Sequence, residues 1–265
     1  MIKSDSQSTL CEGQLKELTV IAIKRIKDRI PKGGYYLAFS GGKDSCVIYD
    51  LAKKAGVPIE PHFHFTTVDP PELVRFVFSN FPEIIVDRPK QSMFKLIEKK
   101  GFFPTRQIRY CCDLLKEYGG RGRTIITGVR WQESKKRSTR KIFEEDYNHK
   151  GTFYLNPIID WKEETVWQYI SHNNLKYCSL YDEGFKRIGC IMCPLQGAEQ
   201  MIKEAERWPK FKKAYLAAIS RGLSLSTTRE KVSRKWFDSG RYNAMVDIFR
   251  TNAMRRTMPI TWVIV

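Results

Sequence analysis

Apolar residues recur at near-helical spacing over residues 14–30, at Leu15, Leu18, Ile21, Ile23, Ile26 and Ile30, until Pro31-Lys32-Gly33-Gly34 stops the pattern. A short apolar run, Tyr35–Phe39, then reads as a strand, and a helical run follows from Cys46 to about Lys54. The alternation continues. Ile59–Phe65 and Ile84–Val86 read as strands. Between them, Pro70-Pro71 opens a helix with Leu73, Val74 and Val77 on its inner side. Gln91–Lys100 reads as a helix carrying Met93, Phe94, Leu96 and Ile97, and Thr124–Val129 and Tyr154–Ile159 read as strands. Asp160 and Glu163 match a capping box, as N-cap and N3, for a helix to about His172 that buries Val166, Trp167 and Ile170. Strands alternating with helices predict an α/β fold: a mostly parallel, twisted, Rossmann-like sheet flanked by helices. Ser40, Thr66 and Arg130 each fall just after a predicted strand, so they are expected on one rim at the carboxyl ends, where ligands of such sheets bind.

From about Met201 the pattern turns helical, basic and aromatic. Residues 201–265 hold 14 basic against 5 acidic side chains, with Trp208, Phe211, Tyr215, Trp236, Phe237, Tyr242 and Phe249 interleaved. The expected division is therefore a nucleotide-binding α/β domain over 1–200 and a helical basic extension over 201–265. Over the whole chain, 46 basic and 29 acidic residues give a net charge of +17, which favours a polyanionic partner such as a nucleotide, DNA or RNA. No run of about 18 apolar residues is present, so no membrane span is expected, and the polar start does not resemble a secretory signal. A cytoplasmic location is expected, and seven cysteines in such a chain suggest metal or redox chemistry rather than a disulfide framework.

The chemistry concentrates in two places. The first is Ser40-Gly41-Gly42-Lys43-Asp44-Ser45, between the first strand and its helix. Glycines permit a sharp turn and close backbone approach, and the free N–H groups of a helix start attract anions. Lys43 adds a mobile cation, and Asp44 suits a Mg²⁺ ion arriving with phosphates. The spacing is not that of a Walker loop. A Gly-Gly pair alone would fit any strand-to-helix turn; the six-residue string points to a phosphate site.

The second is Cys111-Cys112 and, after 77 intervening residues, Cys190-Ile191-Met192-Cys193. Four thiolates can wrap a tetrahedral ion or a cubane cluster. Zinc sites usually pair two C-x-x-C units, so the adjacent pair favours iron–sulfur. Buried structural thiols are the plainer alternative. Cys46 reads as core, Cys11 as incidental, and Cys178 as structural or a working thiol.

These residues resemble the phosphoadenosine phosphosulfate reductase family, within the pyrophosphate-loop superfamily of adenine-nucleotide hydrolase-like proteins, over roughly residues 20–195. Ser40–Ser45 resemble the nucleotide loop, and Asp69-Pro70-Pro71-Glu72 the acidic segment after the second strand. Arg109–Lys116 resemble the cluster segment of adenylyl-sulfate reductases. Gly128-Val129-Arg130-Trp131-Gln132-Glu133-Ser134 with Arg137 resemble a segment that meets phosphate or sulfate. Asn156–Trp161 with Trp167, and Tyr181–Cys193, resemble two further family stretches. The resemblance implies nucleotide contacts from Ser40, Gly41, Gly42, Lys43, Asp44, Ser45, Thr66, Asp69 and Gly128. It implies catalytic roles for Lys43, Asp44, Arg130 and Arg137, and a [4Fe–4S] cluster on Cys111, Cys112, Cys190 and Cys193. Two features depart from the reductases. No cysteine follows Cys193, where they carry a nucleophile, and the loop is complete, as in ATP-cleaving relatives such as the ATP pyrophosphatases of DNA phosphorothioation. The expected function is therefore ATP cleavage between the α- and β-phosphates in sulfur metabolism, with a cysteine desulfurase as sulfur supplier. The alternatives are sulfite release from adenylyl sulfate, and a non-catalytic nucleotide- and nucleic-acid-binding module.

Overall fold

A computed structural model describes residues 12–225 of the chain. The readings for Cys11, and for Trp236 and the other residues after 225, lie outside the described residues.

Helix α1 (Glu12–Lys27) leads into β1 (Tyr35–Ala38), α2 (Lys43–Ala55), β2 (Ile59–His64), α3 (Pro71–Asn80) and β3 (Ile85–Asp87). Then follow α4 (Met93–Lys100), α5 (Tyr110–Leu115), β4 (Thr124–Ile126), β5 (Phe143–Glu145), β6 (Phe153–Leu155), α6 (Glu163–His172), α7 (Ala198–Arg207) and α8 (Pro209–Leu225). The strands form one six-stranded sheet in the order β3-β2-β1-β4-β6-β5. All neighbours run parallel except β5 against β6. From β1 the chain first moves outward through β2 and β3, then returns to place β4 on the other flank of β1. That reversal opens a crevice beyond the carboxyl ends of β1 and β4.

The central strands β1 and β4 are largely apolar because helices cover the sheet there. Leu37 of β1 lies between Pro61 of β2 and Ile126 of β4 and is fully buried. Val47, Ile48 and Leu51 of α2 are likewise inaccessible, each worth roughly 1.5–3 kcal/mol of burial. Tyr35 is buried whole and gives its hydroxyl proton to the Ile26 carbonyl at 2.8 Å.

The chain divides into two compact units. One takes in the described residues up to Phe65, with Pro70–Arg88 and Tyr118–Gly189; it contains the sheet. The other takes in Thr66–Asp69, Pro89–Glu117 and the described residues from Cys190. In the second unit α8 packs along α4. Buried Tyr215 meets Phe94 and Phe103 edge-on, at 5.2 and 5.3 Å between ring centres, and donates to the Ile191 carbonyl. Cys190–Gln196 thus group with the later helices rather than with the sheet.

Several boundaries differ from the sequence reading. Strand β4 stops at Ile126; the Thr127 amide still donates to the Leu155 carbonyl at 3.0 Å, and from Gly128 the chain lies against Asp44 at the start of α2. Strand β6 covers Phe153–Leu155, earlier than expected, and β5 carries no sequence expectation at all. The capping box at Asp160 does not form. The N-cap of α6 is Lys162, without a side-chain cap. Asp160 instead takes both guanidinium nitrogens of Arg25 at 2.8 Å, a bidentate charge-assisted pair that outcompetes a helix amide. The N–H of Glu163 goes to Gln132 Oε1 at 2.7 Å. Val166 and Ile170 are buried as expected, but Trp167 is half-buried, and Tyr169 fills the core position.

Candidate functional site

The start of α2 has the backbone features that suit an anion. Gly41 sits at φ +72°, a left-handed conformation, and a Cβ there would lie 2.7 Å from Leu73 and from Val77 of α3. Gly42 is the N-cap and supplies no side-chain cap, and its own amide donates to Ser40 Oγ at 3.3 Å. Ser45 Oγ donates to the Gly42 carbonyl at 2.8 Å, and Ser40 Oγ lies 3.2 Å from Ser45 Oγ, which holds the turn closed. The Lys43 amide donates to the Tyr181 hydroxyl at 3.0 Å, so a phenol oxygen occupies one anion position.

Gly128, just past β4, lets that strand's exit lie against α2. A Cβ on it would be 3.0 Å from the backbone carbonyl carbon, carbonyl oxygen and Cβ of Asp44. The close approach brings Arg130 to Asp44: Nε donates to Oδ1 at 2.6 Å, with Arg130 only 3% exposed. Asp44 Oδ2 lies 3.5 Å from Lys43 Nζ, which is also 3.3 Å from Glu163 Oε1 and itself buried. Both oxygens of Asp44 therefore carry a cationic partner. This does not fit a resident magnesium ligand, and a magnesium ion would come as part of a nucleotide substrate. Arg137 is ion-paired to Glu133. Burial, and after it the charge of Arg187, lowers the Arg137 guanidinium to about 10. Tyr181 is pushed up by burial; its ring lies 5.6 Å from Lys43 Nζ and meets Trp167 edge-on at 5.1 Å.

The predicted loop residues Ser40–Ser45 thus meet Gly128 and Arg130 in the crevice between β1 and β4, with Arg137 joined to Arg130 through Glu133, whose carboxylate accepts the Arg130 amide at 3.3 Å. Glu163, Gln132 and Tyr181 complete the arrangement; the sequence placed Glu163 in a capping box and Gln132 and Tyr181 in family-like stretches, without assigning any of them to this site. Thr66 and Asp69 belong to the second unit, where the Asp69 carboxylate accepts the Thr66 amide at 2.6 Å.

The second unit also assembles the cysteines. Cys111 and Cys112 share a hydrogen bond, and Cys111 lies within electrostatic reach of Cys190 and Cys193. The Cys111 hydrogen bond, with Arg109 after it, lowers the Cys112 thiol, while Cys111 is raised. Ile191 N–H donates to Val68 O at 2.8 Å, and Met192 takes a left-handed φ of +55°, which turns the 190–193 loop. Lys116, half-buried, lies beside Cys190 and Cys193, its ammonium raised chiefly by Cys190. Among the described residues, no group of three or more His, Cys, Asp and Glu is drawn together as for a single metal ion. Four cysteines in one unit, two of them beside the Lys116 ammonium, are nonetheless a donor set whose chemistry fits an anionic thiolate-bound centre. Among the described residues, no helix is long and apolar enough to cross a membrane.

Fold and site together define an α/β protein whose topological switch point carries a glycine-led helix start of the kind that suits an anion. The pattern of the phosphoadenosine phosphosulfate reductase domain matches residues 34–196, and the chain belongs to that family. An uncharacterized protein of Methanocaldococcus jannaschii is 31% identical over 225 residues, covering 78% of this chain and 53% of that one. A second from the same organism is 30% identical, covering 71% and 42%. The chain thus spans about half the length of these relatives. Adenosine 5′-phosphosulfate reductase of Oceanobacillus iheyensis is 28% identical over 184 residues, covering 64% of this chain and 75% of the enzyme. Phosphoadenylyl-sulfate reductase of Candida auris, in a phosphate complex, shares the fold at TM-score 0.51 and 21% identity, covering 71% of this chain and 98% of that one. Candida glabrata FMN adenylyltransferase shares it at TM-score 0.51 and 16% identity, over 72% and 67%.

Proposed function

We propose that the chain binds ATP at the start of α2 and cleaves it between the α- and β-phosphates, within sulfur metabolism. The observation that carries this reading is the Lys43–Asp44–Arg130 constellation at a glycine-led helix start whose amides are held only by the hydroxyls of Ser40 and Tyr181. Backbone amides of Gly42 and Lys43 would hold the β- and γ-phosphates, and Tyr181 would yield its place to a phosphate oxygen. An acceptor oxygen attacks the α-phosphorus. The bond to the bridging oxygen breaks, and pyrophosphate leaves with the electron pair. Lys43, Arg130 and Arg137 are placed to offset the charge that develops, ordinarily the largest catalytic contribution. Asp44 acts by holding Arg130 and Lys43 in register.

Cys111, Cys112, Cys190 and Cys193 would hold a [4Fe–4S] cluster that, when bound, supplies a structural centre or a sulfur or electron relay. The outer sulfur of a cysteine desulfurase persulfide would then displace the adenylated oxygen, which leaves with AMP, and a thiol reductant would supply the two electrons that cleave the remaining S–S bond, as in DNA phosphorothioation. Sulfite release from adenylyl sulfate is the second reading, favoured by the relatives named as reductases. Cys178, its nominal thiol, is wholly buried.

The protein is to be incubated separately with ATP and with adenylyl sulfate, and pyrophosphate and sulfite followed. Pyrophosphate from ATP, abolished in Lys43→Ala, is the expected result. Sulfite from adenylyl sulfate without ATP turnover, or a wild-type rate in Lys43→Ala, would replace it.

A further inference from the structure

Beside the start of α2 lies a basic turn of which the ATP reading uses Arg137 alone. The chain leaves β4 through Arg130, makes a short 3₁₀ turn at Trp131–Glu133, and closes a tight turn over Ser134–Arg140. The amides of Arg137 and Ser138 donate to the Ser134 carbonyl at 2.9 Å, and that of Arg140 to Arg137 at 3.1 Å. Lys135, Lys136 and Lys141 stand exposed here, with no ion pair to any described residue. Arg137 and Arg140 are half-buried and paired with Glu133 and Glu144. The charge of Arg187 is felt at Arg137. Trp131 is 40% exposed, unusual for so large an apolar side chain. Its indole N–H donates to the Arg140 carbonyl at 2.8 Å, and its amide to the Ile159 carbonyl at 2.8 Å. The ring is therefore pinned at one edge while much of its surface stays open to solvent.

We propose that this turn and Trp131 form a landing surface for single-stranded nucleic acid, so that the acceptor brought to the start of α2 is a nucleic-acid strand. Unpaired lysines on a braced turn suit a phosphate backbone. A rigid, open aromatic face suits an unstacked base, which a duplex does not offer. An acidic protein would match the lysines but leave the indole unused. The acceptor part rests on the ATP reading; the landing surface stands on its own.

The test uses the whole protein without nucleotide and a 5′-labelled 12-nucleotide DNA or RNA strand, followed by fluorescence anisotropy across a salt series. Three variants are compared with the parent: K135A/K136A/K141A, W131A and W131F. The triple variant is expected to bind at least ~10-fold more weakly and to flatten the salt slope by about 2, at ~0.7 for each phosphate no longer neutralised. W131A should weaken binding ~5-fold or more with an unchanged slope, and W131F should recover most of it. Absence of strand binding, equal affinity in the triple variant and W131A, or tighter binding of duplex than of single strand each overturns the surface. These variants spare the ATP site, so pyrophosphate release serves as the separate readout. Binding with both signatures but no pyrophosphate keeps the surface and removes the acceptor role. Pyrophosphate release without binding removes the surface alone.

Discussion

Gly41, Gly128 and Gly56 differ in what they ask of a side chain. Gly56 has φ +67° and open space around it, so Gly56→Ala is expected to cost only about 1 kcal/mol, from the left-handed backbone. Gly128 has an unremarkable φ, but its neighbours are backbone atoms of Asp44 that cannot move aside cheaply. Gly128→Ala should therefore cost roughly 1–3 kcal/mol in denaturant unfolding. By displacing the Asp44–Arg130 pair it should also slow turnover about 10²-fold. Arg130→Lys keeps the charge but loses the guanidinium fork, and a fall in kcat larger than the rise in KM is expected. Glu204 offers a pH-dependent case. Burial raises its carboxyl, although the Met192 amide donates to it at 2.6 Å. A raised carboxyl contributes stability when protonated and loses it as pH rises through the folded value. Wild-type Tm relative to Glu204→Gln should accordingly improve as pH falls from 7 toward 4.5.

At the scale of elements, Asp160 ties α6 to α1 rather than capping α6. A double-mutant cycle of Arg25→Ala and Asp160→Ala should give a coupling of roughly 1 kcal/mol; a cap would lose stability in Asp160→Ala alone. The sequence showed the strand–helix alternation because long buried segments such as α2 carry apolar residues at strong periodicity. It could not show β5, whose Phe-Glu-Glu is short, half-polar and held by a single antiparallel neighbour. Nor could it place the true start of α6, because a guanidinium 135 residues away decides what Asp160 does. The loop at 40–45 was legible as a local string. Tyr181, 138 residues from the amide it occupies, was not, since only tertiary folding brings it there.

At the scale of the whole molecule, the chemistry divides between two compact units, one with the start of α2 and one with the four cysteines. Anaerobic purification is expected to yield a brown protein with about four irons per chain on the cluster reading. Cys190→Ser should lose the colour and lower the Tm. Colourless protein carrying stoichiometric zinc would replace the cluster with a single ion.

Lys43 faces two carboxylates of its own chain, those of Asp44 and Glu163. The cradle is thus self-neutralised. A lone inorganic ion such as sulfate would have to evict Glu163 and gain one bond in exchange, a nearly even trade. A polyphosphate reaches the amides and guanidinium groups in the same event. The cradle is therefore expected to discriminate by chain length of the phosphate, passing over sulfate and single phosphates in favour of longer anions.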